Sequence, residues 1–229
     1  MNDDIQVGLL VFPELTQLDL TGPLQVFSSV PGVRVHLVGR SLDPVPTDTV
    51  LTITPTVAFA DCPQLDVICV PGGHGIDLIL EDAEYLHFLR AQAAGARYVT
   101  SVCTGALLLG AAGLLAGYRA TTHWSAIGFL EQFGAEPVRT RVCVDRDRVT
   151  GGGITAGIDF ALRLVAELVG QSTAEGVQLR LEYDPHPPFE AGSPDTAPPD
   201  VLAEFLASSA RTQARRTTSV AHAADALRS

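Results

Sequence analysis

Cys103 has the setting in this sequence that most favours chemistry. It stands between an apolar, β-favouring run, Tyr98-Val99-Thr100-Ser101-Val102, and Gly105-Ala106-Leu107-Leu108-Leu109, which has the composition of a helix. The spacing predicts a strand, a sharp turn and a helix, with the thiol on the turn. Free N–H groups and the dipole at a helix N-terminus favour a thiolate there, which makes Cys103 a candidate nucleophile. A buried structural cysteine is the other reading, since free cysteine is among the most buried residue types. Asp19 lies between Leu18 and Leu20 and just before Thr21-Gly22-Pro23. A carboxyl between leucines suits a partly desolvated acid, and an aspartate before a helix start also suits a cap. Gly72 and Gly73, after another apolar run, would let the backbone approach a ligand and present N–H donors, or simply make a tight turn. They do not form a phosphate loop, whose Lys and Ser/Thr are missing. Of the histidines, His123 is the one whose placement suits a cysteine partner, with capping or packing as the alternative; His36 and His74 read as strand and loop residues.

The elements around these residues alternate. Ile5 to Phe12 is nearly all apolar, as in a central parallel strand covered on both faces. Pro13 ends it, a loop carries Asp19, and Thr21-Gly22-Pro23 predicts a helix over about Leu24 to Ser29. Strands are expected at 33–38, 66–70 and 98–102, short strands or a hairpin within 41–60, and helices over about 82–95 and from the cysteine turn to Ala112. Arg119 onward reads as a short strand entering a helix that continues to Phe133. Val138 to Val149 reads as a hairpin with a solvated charged face and Asp145-Arg146-Asp147 at its turn. Gly151-Gly152-Gly153 then opens a long helix with Ile158, Leu162, Val165 and Leu168 on its buried face, and helical spacing resumes over 174–183. Strands alternating with helices predict a doubly wound α/β domain over 1–184, with a mostly parallel sheet and helices on both faces. Residues 185–229 form a proline-rich excursion and a C-terminal helical extension. The arginines there, Arg211, Arg215, Arg216 and Arg228, read as a solvated helix or frayed tail rather than a nucleic-acid arm in so acidic a chain.

Composition narrows the function classes. The chain has 229 residues, 46% of them hydrophobic, and a formal net charge of −11, which argues against a general nucleic-acid surface. No apolar run is long enough for a membrane span, and the opening Asn2-Asp3-Asp4 does not read as a signal peptide. Cys62, Cys69, Cys103 and Cys143 lie far apart with no C-x-x-C pair, so neither a zinc site nor a disulfide framework is expected. A cytoplasmic setting follows as the default.

With Asp19, Gly72-Gly73 and Cys103 each placed after a strand, the chain resembles the ThiJ/PfpI superfamily over roughly residues 5–185. That resemblance implies a flavodoxin-like core with the reactive cysteine on a nucleophile elbow. Three phrases look like the isocyanide hydratases of that superfamily: Gln17 to Pro23, Thr100 to Gly105, and Leu179-Arg180-Leu181-Glu182-Tyr183. Ala191 to Pro198 extends the match. Protease-like and chaperone-like members have a histidine directly after the cysteine, where this chain has Thr104, and deglycase-like members carry a glutamate where Asp19 stands.

The resemblance implies cysteine-dependent addition of water to a small-molecule isocyanide, with no metal or organic cofactor. Cys103 would be the nucleophile and Asp19 the acid, its pKa raised by the neighbouring thiolate. Thr104 would hydrogen-bond near the substrate nitrogen. The N–H groups of Gly73 and Thr104 would surround the reacting centre, and Ile154 would contact the thiolate through its amide or line the pocket. A homodimer without a nucleic-acid or membrane partner is the implied assembly. Two other classes stay open. The α/β domain with Thr121-Thr122-His123-Trp124 is also similar to the sensor half of AraC-type transcriptional regulators, although the proline-rich stretch after Asp184 leaves little room for their helix-turn-helix domain. An exposed low-pKa Cys103 would also suit a redox sensor.

Overall fold

The computed structural model describes residues 4–228. The chain runs through β1 (Ile5–Leu10), α1 (Gln17–Ser28), β2 (Val33–Gly39), β3 (Val45–Pro46), β4 (Thr52–Ile53), β5 (Val57–Ala58), β6 (Val67–Val70), α2 (Ile76–Ile79), α3 (Ala83–Ala93), β7 (Tyr98–Val102) and α4 (Gly105–Ala111). It continues with β8 (Arg119–Ala120), a 3₁₀ helix over Trp124–Phe133, β9 (Glu136–Pro137), β10 (Val142–Asp145), β11 (Arg148–Gly151), α5 (Ala156–Val169), α6 (Gln171–Arg180) and α7 (Pro199–Arg228). The main sheet has the order β10-β11-β7-β6-β1-β2-β5. All its neighbours are parallel except β10 and β11, which form the expected hairpin. The short β3 and β4 pair as a separate hairpin.

The apolar strands explain the layering. Val7, Leu9, Val67, Val70, Val99 and Val102 are fully buried, because helices cover both faces of the sheet. α1, α5 and α6 pack together on one face, and α2, α3, α4 and α7 on the other. Phe27 and Phe160 meet edge to face between α1 and α5, with ring centroids 6.3 Å apart. The chain leaves β1 for β2 on one side and returns to β6 on the other. The strand order therefore reverses at β1, and the carboxyl ends of β1 and β6 open the crevice where doubly wound sheets bind ligands. Among the described residues, no helix is long and apolar enough to cross a membrane.

Four expectations are corrected. α1 begins at Gln17, not near Leu24, and Pro23 sits inside it. Asp19 therefore belongs to the first helical turn rather than to a loop. An interior proline costs a helix about 3 kcal/mol or more; here its ring packs on α5, where a β-carbon on Gly157 would come within 3.2 Å of Pro23 Cδ. The segment after His123 is 3₁₀ rather than α-helical over ten residues. The hairpin is not solvated throughout, because Arg148 is buried, donates to the Leu114 carbonyl at 2.8 Å and lies over the Tyr118 ring. Finally, Arg211, Arg215 and Arg228 are exposed on a helix as expected, but Arg216 is not: α7, a 30-residue helix, docks along the body with Arg216, Val220, Ala223 and Ala224 buried.

Candidate active site

The site forms where β1, β6, β7 and β11 end. Cys103 has φ +52°, in the left-handed region that a residue with a side chain rarely adopts. Neighbouring groups hold it there: its N–H donates to the carbonyls of Gly151 (3.1 Å) and Gly152 (2.7 Å), and its own carbonyl accepts from the Thr122 hydroxyl at 2.6 Å. A backbone so constrained can carry strain of about 1–3 kcal/mol. The turn is compact because residue 105 is glycine: a β-carbon there would lie 2.1 Å from the Val70 carbonyl oxygen.

Asp19 lies beneath the cysteine and is fully buried. Its Oδ2 accepts from the Gly72 N–H at 3.0 Å, while Oδ1 has no conventional hydrogen-bond partner. Burial dominates its titration and pushes its pKa up to about 7, against the Gly72 hydrogen bond and an interaction with the Cys103 thiol, which both favour the charged form. The thiol is also pushed up, first by burial and then by the Asp19 charge. A thiolate stabilised by the helix N-terminus was the expectation; in the closed site desolvation outweighs that effect. The Thr104 N–H and Arg216 pull in the other direction. The two acids are coupled, and a neutral Asp19 removes the like charge that opposes a thiolate.

The glycines hold the acid rather than the open space above it. Gly72 is spent on Asp19, and the Gly73 N–H donates to Thr104 Oγ1 at 3.0 Å, so the amide expected at the reacting centre has a partner already. Thr104 Oγ1 in turn donates to the Gly73 carbonyl at 3.3 Å, clamping the loop after β6 to the start of α4. A β-carbon on Gly72 would fall 2.6 Å from the Thr104 nitrogen and 2.9 Å from Asp19 Oδ2. Gly72→Ala is therefore expected to displace this loop, lower stability by about 1–3 kcal/mol and reduce turnover more than tenfold, as read by thermal melting and activity on the same sample.

Above the cysteine opens a cavity of about 420 Å³, lined by Cys103, Thr104, Gly73, Ile154, His123 and one face of α7. Asp19 and Gly72 lie below its floor. Ile154 also borders a second recess, under Gly192–Asp195 of the proline-rich excursion. His123 caps the 3₁₀ helix: its Nδ1 accepts from the Ser125 N–H at 3.3 Å and lies 2.8 Å from Ser125 Oγ. Burial and Arg216 lower its pKa, so it is neutral at neutral pH. This is the capping role and not a base on the thiol. Exposed His74 stands at the cavity wall. Thr122 and the cavity face of α7 were not assigned a role by the sequence. Thr122 sits in a run of polar residues beside His123; in α7, Val201, Leu202, Phe205 and Leu206 read as an amphipathic docking helix, but the Ser-, Thr- and Ala-rich turns that follow gave no local signal. All four cysteines are free, and among the described residues no group of three His, Cys, Asp or Glu could hold a metal ion.

Residues 5–167 match the sequence profile of the DJ-1/PfpI family. The chain belongs to that family. An isonitrile hydratase of Pseudomonas putida is 60% identical over 200 residues, covering 87% of this chain and 88% of that one. The crystal structure of a ThiJ/PfpI family protein from Pseudomonas syringae superposes with a TM-score of 0.92 at 47% identity, covering 95% of this chain and 90% of that one. An HTH-type transcriptional regulator of Pseudomonas aeruginosa, GbdR, is 30% identical over 186 residues, or 78% of this chain and 50% of the regulator. The DJ-1/PfpI fold is thus shared by enzymes and regulators, and the distinction between them rests on the site.

Proposed function

We propose that the protein is an isocyanide hydratase, a hydro-lyase that adds water to R–N≡C and releases the N-substituted formamide R–NH–CHO. The observation that carries this reading is the pair of Cys103 on the elbow and buried, uncharged-leaning Asp19 beneath it, in a chain 60% identical to an isonitrile hydratase over most of both lengths. The terminal carbon of an isocyanide accepts a nucleophile and a proton at the same atom, so one sulfur and one adjacent acid suffice.

In the first step the Cys103 thiolate adds to that carbon and Asp19 delivers its proton there, giving the thioimidate R–N=CH–S–Cys and an Asp19 carboxylate. Water then adds to the same carbon; one of its protons goes to nitrogen, and the C–S bond breaks as the carbonyl forms. The thiolate leaves and the second water proton returns to Asp19. The Thr104 N–H, which faces the sulfur, steadies the thiolate at the start and end of the cycle. Thr104 and Ile154 border the space the substituent R would fill. The scheme uses no metal or organic cofactor, and we take a cytoplasmic homodimer as its setting.

Incubation with an aryl isocyanide, with product followed by mass spectrometry, tests the reading. Formamide is expected from the untreated protein and is expected to vanish after the thiols are blocked. Formamide undiminished by blocking, or none from the folded untreated protein, overturns it.

A further inference from the structure

α7 turns one face to the cavity. Phe205, Ser208, Ser209, Thr212, Gln213 and Arg216 recur at helical spacing and line the wall opposite the elbow. The face grades from apolar to charged. Phe205 packs on Trp124 at one end, with centroids 5.1 Å apart, and Arg216 is 5% exposed at the other.

Arg216 is held in place by a built arrangement. Its Nε donates to Asp77 Oδ1 at 2.8 Å and a second nitrogen reaches Oδ2 at 3.4 Å. Asp77, on α2, has a wholly buried side chain. Arg215 donates to the same carboxylate and to the His74 carbonyl, both at 3.3 Å. Two guanidinium groups thus share one carboxylate, Arg216 buried at the cavity and Arg215 with its side chain 45% exposed outside it, so Asp77 is not left to Arg216 alone. A buried ion pair is often no more stabilising than well-packed apolar residues, so fold stability alone gives little reason for one here.

We propose that Arg216 is a positioning residue for the nucleophile: clamped by Asp77, it places a positive charge at the cavity wall that favours the Cys103 thiolate against the burial that opposes it. A guanidinium stays protonated throughout the working range of pH, and a charge inside a weakly screened site acts at longer range than one in water. Arg216, Cys103 and His123 line the same cavity, and the guanidinium lowers the pKa of both the thiol and the imidazole. The other charged or titratable groups facing the thiol are Asp19 from α1, Asp48 from the segment between β3 and β4, His74 after β6 and His123 before the 3₁₀ helix. The two carboxylates oppose a thiolate when charged, and His123 is neutral, so Arg216 is the buried cation in this set. The family profile ends at residue 167, so this charge comes from the part of the chain beyond it. The inference concerns the thiol alone and does not depend on the isocyanide reading.

Alkylation of Cys103 by iodoacetamide, followed across pH by peptide mass mapping, reports its ionisation directly. Arg216→Gln is expected to raise the midpoint by about one pH unit, slowing alkylation about tenfold at neutral pH, and Arg216→Lys to restore most of the difference. Arg211→Gln, at an exposed position on the same helix, is expected to leave the midpoint unchanged. Arg216→Met removes the charge and keeps the aliphatic bulk, with Arg215 still paired to Asp77; it is expected to raise the midpoint likewise and decides the question if Arg216→Gln does not fold. A folded Arg216→Gln protein with the wild-type midpoint, or an Arg211→Gln shift of equal size, overturns the proposal, as does an unchanged midpoint in Arg216→Met. A loss of packing alone would lower the melting temperature without moving the midpoint in this order.

Discussion

Replacing Cys103 by alanine is expected to lower isocyanide turnover roughly 10⁴-fold or more, the scale seen when a covalent nucleophile is removed. The fold is expected to survive. The elbow is held by main-chain bonds from Cys103 to Gly151 and Gly152 and by the Thr122 hydroxyl, and none of these involves the sulfur. Steady-state kinetics with product detection, alongside a thermal melt, would check both halves. Residual activity within tenfold of wild type would mean that water adds without a covalent intermediate, and Asp19 would then have to be recast as the base that activates it.

Asp19→Asn is expected to have two separable effects. Losing the proton donor should reduce turnover by about 10²- to 10⁴-fold, the usual worth of a positioned general acid. The second effect is on stability and runs the other way. The Asp19 pKa is raised on folding, from 3.8 to about 7, so between those values the folded protein holds a proton that the unfolded chain has released. Stability in the wild type therefore falls as pH rises from about 4 and levels off above about 7, where the carboxylate is buried charged. Asparagine carries no such cost and keeps an oxygen for the Gly72 N–H. The variant should match the wild type near pH 4 and exceed it progressively toward pH 8, by on the order of 4 kcal/mol at most. Denaturant titrations at several pH values would show the gap opening. A gap that is constant across pH, or that closes toward pH 8, would contradict the burial of this carboxyl as the cause.

The sequence carried the strand order's raw material and the elbow, because both are written in local pattern. The apolar runs at 5–12, 66–70 and 98–102 became buried parallel strands, and the change of period at Cys103 became the turn. Asp19 was legible as a residue type in an apolar setting, but its place in α1 was not. Thr21-Gly22-Pro23 has the form of a helix start, and only packing against Gly157 explains why a proline is accepted six residues inside the helix. The glycine loop was legible as a close approach, whereas the object approached proved to be Asp19 and Thr104. Arg216 was the least legible. Its partner Asp77 is 139 positions away in sequence, and one of several arginines among alanine, serine and threonine looks like any solvated helix residue.

The left-handed backbone of Cys103 decides what can take its place. Glycine is the residue best suited to that conformation, so the residue that the chemistry needs is one the backbone would not choose. The chain holds the same conformation at Glu14, Arg146 and Glu182, so a side chain at position 103 is a load the fold can carry, and glycine is the replacement that would remove the sulfur while relaxing the turn.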